Sequence, residues 1–140
     1  MKINSYLSFG GNCAEALNFY EKAFNVKAKI MRYGDAPAGD GYQPDEATKN
    51  LVMHAQFSLG SEEILFCDVP PGSDVNFGNG LSISVGFDNA GQAKSAFDAL
   101  KVGGVVDMDL QETFWSKCFG TLTDKFGVNW MITLDSSNHN

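Results

Sequence analysis

The order of strand and helix signals runs once through the chain and then starts again, and this duplication limits the accessible folds more than any other feature. From Lys2 to Phe9 the residues Ile3, Ser5, Leu7 and Phe9 alternate with Asn4, Tyr6 and Ser8, the period of a strand. Gly10-Gly11 breaks that pattern, Asn12 and Glu15 carry the spacing of a capping box, and Ala16, Leu17, Tyr20, Ala23 and Phe24 fall on one helical face. Strands are expected at Val26 to Tyr33 and at Leu51 to Leu59, the latter with Leu51, Met53, Ala55, Phe57 and Leu59 on its apolar side. Gly60-Ser61 then turns the chain into a strand from Glu63 to Cys67.

After Pro70-Pro71-Gly72 the pattern begins afresh. Leu81, Ile83, Val85 and Phe87 alternate with small polar residues, Asn89 and Gln92 repeat the cap spacing, and Ala93, Ala96, Phe97 and Leu100 share a helical face. Strands follow near Val105 to Asp109, Lys117 to Asp124 and Val128 to Leu134. Each half therefore reads strand, helix, strand, strand, strand, with a period of about seventy-five residues. The expected fold is α+β: one domain over residues 1–140, built from two βαβββ modules at about 1–70 and 78–136. One helix covers only one face of a four-stranded sheet, so two such modules are expected to form a cupped mixed sheet with helices outside. The residues facing into it are Tyr6, His54, Ser82 and Met131, with Asn4, Gln56, Ser84, Asn129 and Thr133 near them. A long Gly/Pro/Asp-rich stretch over 34–50 is a lid or an insertion.

Charge and composition remove several function classes. Seventeen acidic against ten basic residues give a formal net charge of -7, which repels a phosphate backbone and an anionic membrane surface alike. No window approaches the ~18 apolar residues of a membrane span, and the first residues lack the apolar run of a signal peptide. Cys13, Cys67 and Cys118 form neither a C-x-x-C pair nor a disulfide framework, so a reducing cytoplasm is expected. Cys13, at a helix N-terminus, reads either as a thiol of depressed pKa or as an inert filler. Asp35, Asp40, Asp45 and Glu46 do not follow the calcium-loop spacing, and Gly10-Gly11 does not extend to G-x-G-x-x-G. Lys27, Lys29 and Arg32 read as a guard on an edge strand. Two histidines, one of them His139 in a polar tail, leave His54 as the candidate base. Its alternative is a hydrogen-bonded wall residue.

The run TFWSKCFGTLTDKFGVNWMITL from Thr113 to Leu134, with YLSFGGNCAEALNFYEKAF from Tyr6 to Phe24 and HAQFSLG from His54 to Gly60, resembles the PhnB-like branch of the vicinal-oxygen-chelate superfamily. That superfamily includes glyoxalase I, extradiol dioxygenases and bleomycin-resistance proteins. The resemblance implies paired βαβββ modules, a homodimer, and a divalent metal held by His and Glu side chains, one from each of four strands. Carried over position by position, those ligands fall at Ser5 or Tyr6, His54, Ser82 and Met131, of which only His54 suits zinc, iron, nickel or manganese. Neither a metal nor another cofactor is therefore expected. Some members of the branch carry the label 3-demethylubiquinone methyltransferase, but no glycine-rich turn suited to S-adenosylmethionine is present.

The resulting expectation is a small-molecule-binding protein with a degenerate metal site, its ligand held by Tyr6, His54, Ser82, Trp115, Phe119 and Met131. Trp115 and Phe119 serve equally as a flat pocket wall or as part of a dimer seam. The resemblance leaves open a metal-dependent lyase, isomerase or dioxygenase that uses His54, and an antibiotic-sequestering resistance-type protein.

Overall fold

In the computed structural model, residues 1–35, 44–114 and 117–135 are described. They form two compact units, residues 1–75 and 76–140, with the same element order. Unit one comprises β1 (Ser5–Phe9), α1 (Cys13–Phe24), β2 (Lys29–Arg32), β3 (Val52–Leu59) and β4 (Glu62–Asp68). Unit two comprises β5 (Ile83–Phe87), α2 (Ala90–Leu100), β6 (Val105–Gln111), β7 (Phe119–Thr123) and β8 (Asn129–Leu134). Strand orders are β1-β4-β3-β2 and β5-β8-β7-β6. In each sheet the first strand pairs in parallel with the last and the remaining pairs are antiparallel. The α+β duplication read from the pattern is thus present down to its strand order.

Each sheet packs one face against its helix. In unit one Leu7, Phe9, Ala55, Phe57, Ile64 and Phe66 are buried with Ala16, Leu17 and Tyr20 of α1. Phe66 lies at the centre, its ring 5.1 Å from Phe57, 6.1 Å from Tyr20 and 6.4 Å from Phe9. In unit two Leu122, Trp130 and Ile132 are buried with Ala93, Ala96, Phe97 and Leu100 of α2. Gly120 makes this fit possible, because a Cβ there would stand 2.8 Å from the Phe97 ring and 3.0 Å from the Leu110 nitrogen. Gly60, with φ at 62°, takes the left-handed position that closes the β3–β4 hairpin.

Four expectations change. The buried side of β3 is Val52, Ala55 and Phe57, because Met31 pairs with His54 while the next residue, Arg32, pairs with Val52, leaving Met53 as an extra bulge residue that reverses the alternation. The second strand is short, and Tyr33–Asp35 forms a 3₁₀ turn instead of extending it. Leu81 and Ser82 precede β5, and Leu81 is 82% exposed. Asn12 makes no side-chain cap bond to α1, whereas Asn89 caps α2 as expected by accepting from the Gln92 backbone N–H at 3.1 Å.

The cap of α1 comes instead from the far end of unit one's sheet. Asp68, 1% exposed at the end of β4, accepts through Oδ1 from the Gly11 and Cys13 amides at 2.9 and 3.0 Å. Its Oδ2 accepts from the Val52 amide at 2.9 Å. One carboxylate thus joins the helix start, the start of β3 and the end of β4, and its charge complements the positive end of the helix.

Candidate functional site

Alternation along the strands decides which side chains stand on the sheet faces opposite the helices. On unit one these are Tyr6 and Ser8 of β1, Leu65 and Cys67 of β4, His54 and Gln56 of β3, and Lys29 and Met31 of β2. They lie in two cross-strand rungs: Tyr6 pairs with Leu65, Leu65 with Gln56 and Gln56 with Lys29, while Ser8 pairs with Cys67 and Met31 with His54. All are partly or wholly exposed. This helix-free face therefore gathers a phenol, a hydroxyl, a thiol and an imidazole on neighbouring strands.

Their contacts are specific. The Tyr6 and His54 rings are 6.3 Å apart at an interplanar angle of 53°, and the Cys67 thiol donates to the Ser8 hydroxyl at 3.6 Å. Partial burial, then the hydrogen bond and charge of the adjoining Cys67 side chain, push the Tyr6 phenol up to about 12. In the neutral range Tyr6 is consequently a hydrogen-bond donor and not a base. Tyr33 donates from its hydroxyl to the Asp68 carbonyl at 3.2 Å, bracing the 3₁₀ turn against the end of β4.

On unit two the corresponding face carries Ser84 of β5, Met131 and Thr133 of β8, Phe119 and Thr121 of β7, and Met108 of β6. The register fixes the correspondence between units. Phe9 and Phe87 end their strands in the same way, each carbonyl accepting from the residue after the partner strand, Val69 at 2.8 Å and Asp135 at 2.7 Å. Tyr6 beside Leu65 then matches Ser84 beside Met131, and His54 matches Phe119. Met131 accordingly has Leu65 and not His54 as its counterpart, and Ser84, not Ser82, occupies the position equivalent to Tyr6. Asn129 is taken up structurally: its amide donates to the carbonyls of Gly78 and Leu81, both at 2.9 Å, and its oxygen accepts from Thr123.

The structure thus brings Tyr6 and His54 together on unit one, and places Phe119 and Met131 on one face of unit two with Ser82 just ahead of β5. Trp115 and His139 lie outside the described residues, as does the 36–43 part of the long loop. Where that loop is described its acids serve local turns. Asp45 accepts from the Thr48 amide at 2.9 Å, Glu46 pairs with Lys49 at 2.6 Å, and Asp35 accepts from the Arg32 amide at 3.0 Å. Among the described residues, a cavity of about 280 Å³ lies at the Lys29–Gln56 edge of the unit-one sheet beside Lys27 and Glu63, and one of about 450 Å³ lies between α2 and the Asp109–Glu112 segment.

A hard divalent ion does not fit this donor set. Of the positions that the resemblance assigned to metal ligands, Tyr6, His54, Ser82 and Met131, only His54 carries a suitable donor, the register-equivalent pairs Tyr6–Leu65 and Ser84–Met131 add no carboxylate, and among the described residues no three His, Cys, Asp or Glu side chains converge. A methyl-donor or nucleotide site at the β1–α1 turn is also disfavoured, because the Gly11 and Cys13 amides that would cradle such a ligand are already bonded to Asp68.

Of the two readings of Cys13, the depressed pKa is overturned and the inert filler fits. Its side chain is fully buried, and burial, reinforced by the neighbouring Asp68 charge, raises its pKa far above the ordinary thiol range. Burial also raises Cys118. Titration of the native protein with a thiol reagent should therefore modify Cys67 and Cys118, which are partly exposed, and reach Cys13 only after unfolding. A Cys13→Ser variant that lost native-state reactivity would contradict this assignment.

Comparison with known proteins agrees with the geometry. Residues 1–133 match the family described as 3-demethylubiquinone-9 3-methyltransferase. The chain is 31% identical to protein YjdN of Escherichia coli K12, over 96% of this chain and 95% of that one. It superposes on protein PA1353 from Pseudomonas aeruginosa with 35% identity and a TM-score of 0.83, covering 96% and 98% of the two chains. The PhnB protein from Bacillus cereus gives 30% identity and a TM-score of 0.75, covering 96% and 100%. A glyoxylase/bleomycin resistance protein/dioxygenase domain from Frankia, 16% identical with a TM-score of 0.62 over 96% of both chains, shares the fold.

Proposed function

The chain belongs to the 3-demethylubiquinone-9 3-methyltransferase family, in its PhnB-like branch with a glyoxalase-like fold, and from that premise we propose that it is a small-molecule-binding protein whose ancestral metal site is degenerate. The observation that carries this reading is the Tyr6, Ser8, His54 and Cys67 cluster: hydrogen-bonding groups and an aromatic ring on a helix-free sheet face, without the carboxylates a divalent catalyst needs. Tyr6 donates to a polar group of the ligand and His54 accepts from or donates to it, while Ser82, Trp115, Phe119 and Met131 are assigned to ligand binding from the sequence. A cytoplasmic homodimer belongs to the same reading. Sedimentation at the mass of a single chain would remove its dimeric part.

The test is a nuclear magnetic resonance screen of small polar and aromatic compounds. Binders should shift resonances of Tyr6 and His54, and Tyr6→Phe and His54→Ala should each weaken the best binder roughly 5- to 20-fold, the equivalent of about one hydrogen bond. Binders that map only to the helix-covered faces, or affinities unchanged in both variants, would sink the proposal. One equivalent of zinc, nickel, iron or manganese per purified chain would equally overturn the degenerate-site part.

A further inference from the structure

The helix-free face of unit one carries a second chemistry, which draws on His54 and Cys67 of the ligand-binding cluster and adds Met31. Met31 on β2 stands directly opposite His54 on β3. The β3–β4 register, in which Ala55 faces Phe66, places His54 beside Cys67 when extended by one pair. Extended in this way, the register puts thioether, imidazole and thiol on one rung across three adjacent strands. Facing residues of antiparallel strands have Cβ atoms about 4.5–5.5 Å apart, a spacing from which three such side chains can converge above the middle strand. All three are accessible, Met31 being 46% exposed and His54 and Cys67 half-buried.

We propose that this rung is a binding site for a soft monovalent metal ion, Cu(I), with Cys67 and His54 as ligands and Met31 as the third donor. The donor types decide the ion. Thiolate and thioether suit soft ions, and a single thiolate with a thioether as third donor favours Cu(I) over zinc, which takes its ligands from Cys, His and carboxylates. Among the described residues no third His, Cys, Asp or Glu joins His54 and Cys67. The absence of acids that makes the face unsuited to a hard divalent ion is thus what suits it to a soft monovalent one. Charge balances as well, because one thiolate neutralises one monovalent cation.

The step is a ligand exchange without redox change. The S–H bond of Cys67 breaks, its proton goes to solvent, and the sulfur electron pair forms the bond to copper, which stays Cu(I). His54 contributes the lone pair of its neutral ring and Met31 that of its sulfur. Before the ion arrives, the Cys67 thiol rests on the Ser8 hydroxyl at 3.6 Å.

This inference shares a face with the small-molecule reading but does not depend on it, and the probe is the ion alone. The full chain is titrated anaerobically with Cu(I) held by a chromophoric chelator. One equivalent per chain is expected, abolished by Cys67→Ser, retained by Cys118→Ser, and weakened in His54→Ala and Met31→Leu by at least the roughly 10- to 100-fold that loss of an outer-shell partner costs. Circular dichroism verifies that each variant is folded. An equivalent that survives Cys67→Ser, disappears with Cys118→Ser, or is indifferent to both His54→Ala and Met31→Leu overturns the site; the last result would identify a bare reactive thiol.

Discussion

Asp68→Ala should destabilise the protein by about 3–5 kcal/mol, the largest loss expected from any single polar side chain of unit one. The carboxylate is almost wholly buried and receives three backbone amides, from Gly11, Cys13 and Val52. Its removal leaves all three without that acceptor at the start of α1 and the start of β3. Asparagine is the informative comparison. It keeps one oxygen, which can still serve Gly11 and Cys13, but its NH₂ then faces the Val52 N–H, donor against donor. Asp68→Asn should therefore cost less, about 2–3 kcal/mol, and should loosen the beginning of β3 more than the helix. Denaturant unfolding gives the totals, and amide exchange at Val52 against Cys13 separates the two ends. Asn12→Ala is the control and should change stability by less than about 0.5 kcal/mol, since that side chain makes no cap bond. A result in which Asn12→Ala is as costly as Asp68→Ala would return the cap to Asn12.

The contrast between Asp68 and Asn12 shows where sequence reading succeeds and where it stops. Element order and sheet class follow from local periodicity, which is why the duplication is legible and why the Asn89 cap, with its partner three residues away, is found correctly. Asp68 caps a helix 55 residues earlier in the chain, and no local signal announces a partner at that distance, so the adjacent Asn12 has the right chemistry in the wrong place. The β3 bulge has the same character. One extra residue at Met53 moves burial from Leu51 to Val52, and period-2 counting has no means of detecting it. For the candidate site, face assignment was legible and equivalence was not. Tyr6, His54 and Met131 do stand on helix-free faces, but only the β1–β4 and β5–β8 registers reveal that Leu65 answers to Met131. The Met31, His54 and Cys67 rung likewise exists only once three strands are placed side by side.

Asp124→Ala should cost about 3–4 kcal/mol and be visible at one chromophore. Asp124, 3% exposed, accepts through Oδ1 from the Phe126 and Val128 amides at 2.8 and 3.0 Å and through Oδ2 from the Trp130 indole N–H at 2.8 Å. The same carboxylate thus shapes the β7–β8 turn and anchors a fully buried tryptophan on the helix side of β8. Removing it strips the indole of this acceptor in the core, so the Trp130 indole proton should shift and its fluorescence change under native conditions. A double-mutant cycle isolates the anchor. In a Trp130→Phe background the indole bond to Oδ2 is already gone, so Asp124→Asn should cost about 1–2 kcal/mol less there than in the parent. Strict additivity would mean that the carboxylate acts on the turn alone. The consequence reaches the ligand face, because side chains alternate along a strand. Holding Trp130 inward in this register holds Met131 outward. Loosening the anchor should therefore perturb Met131 and its cross-strand neighbour Thr121 on the helix-free face of unit two.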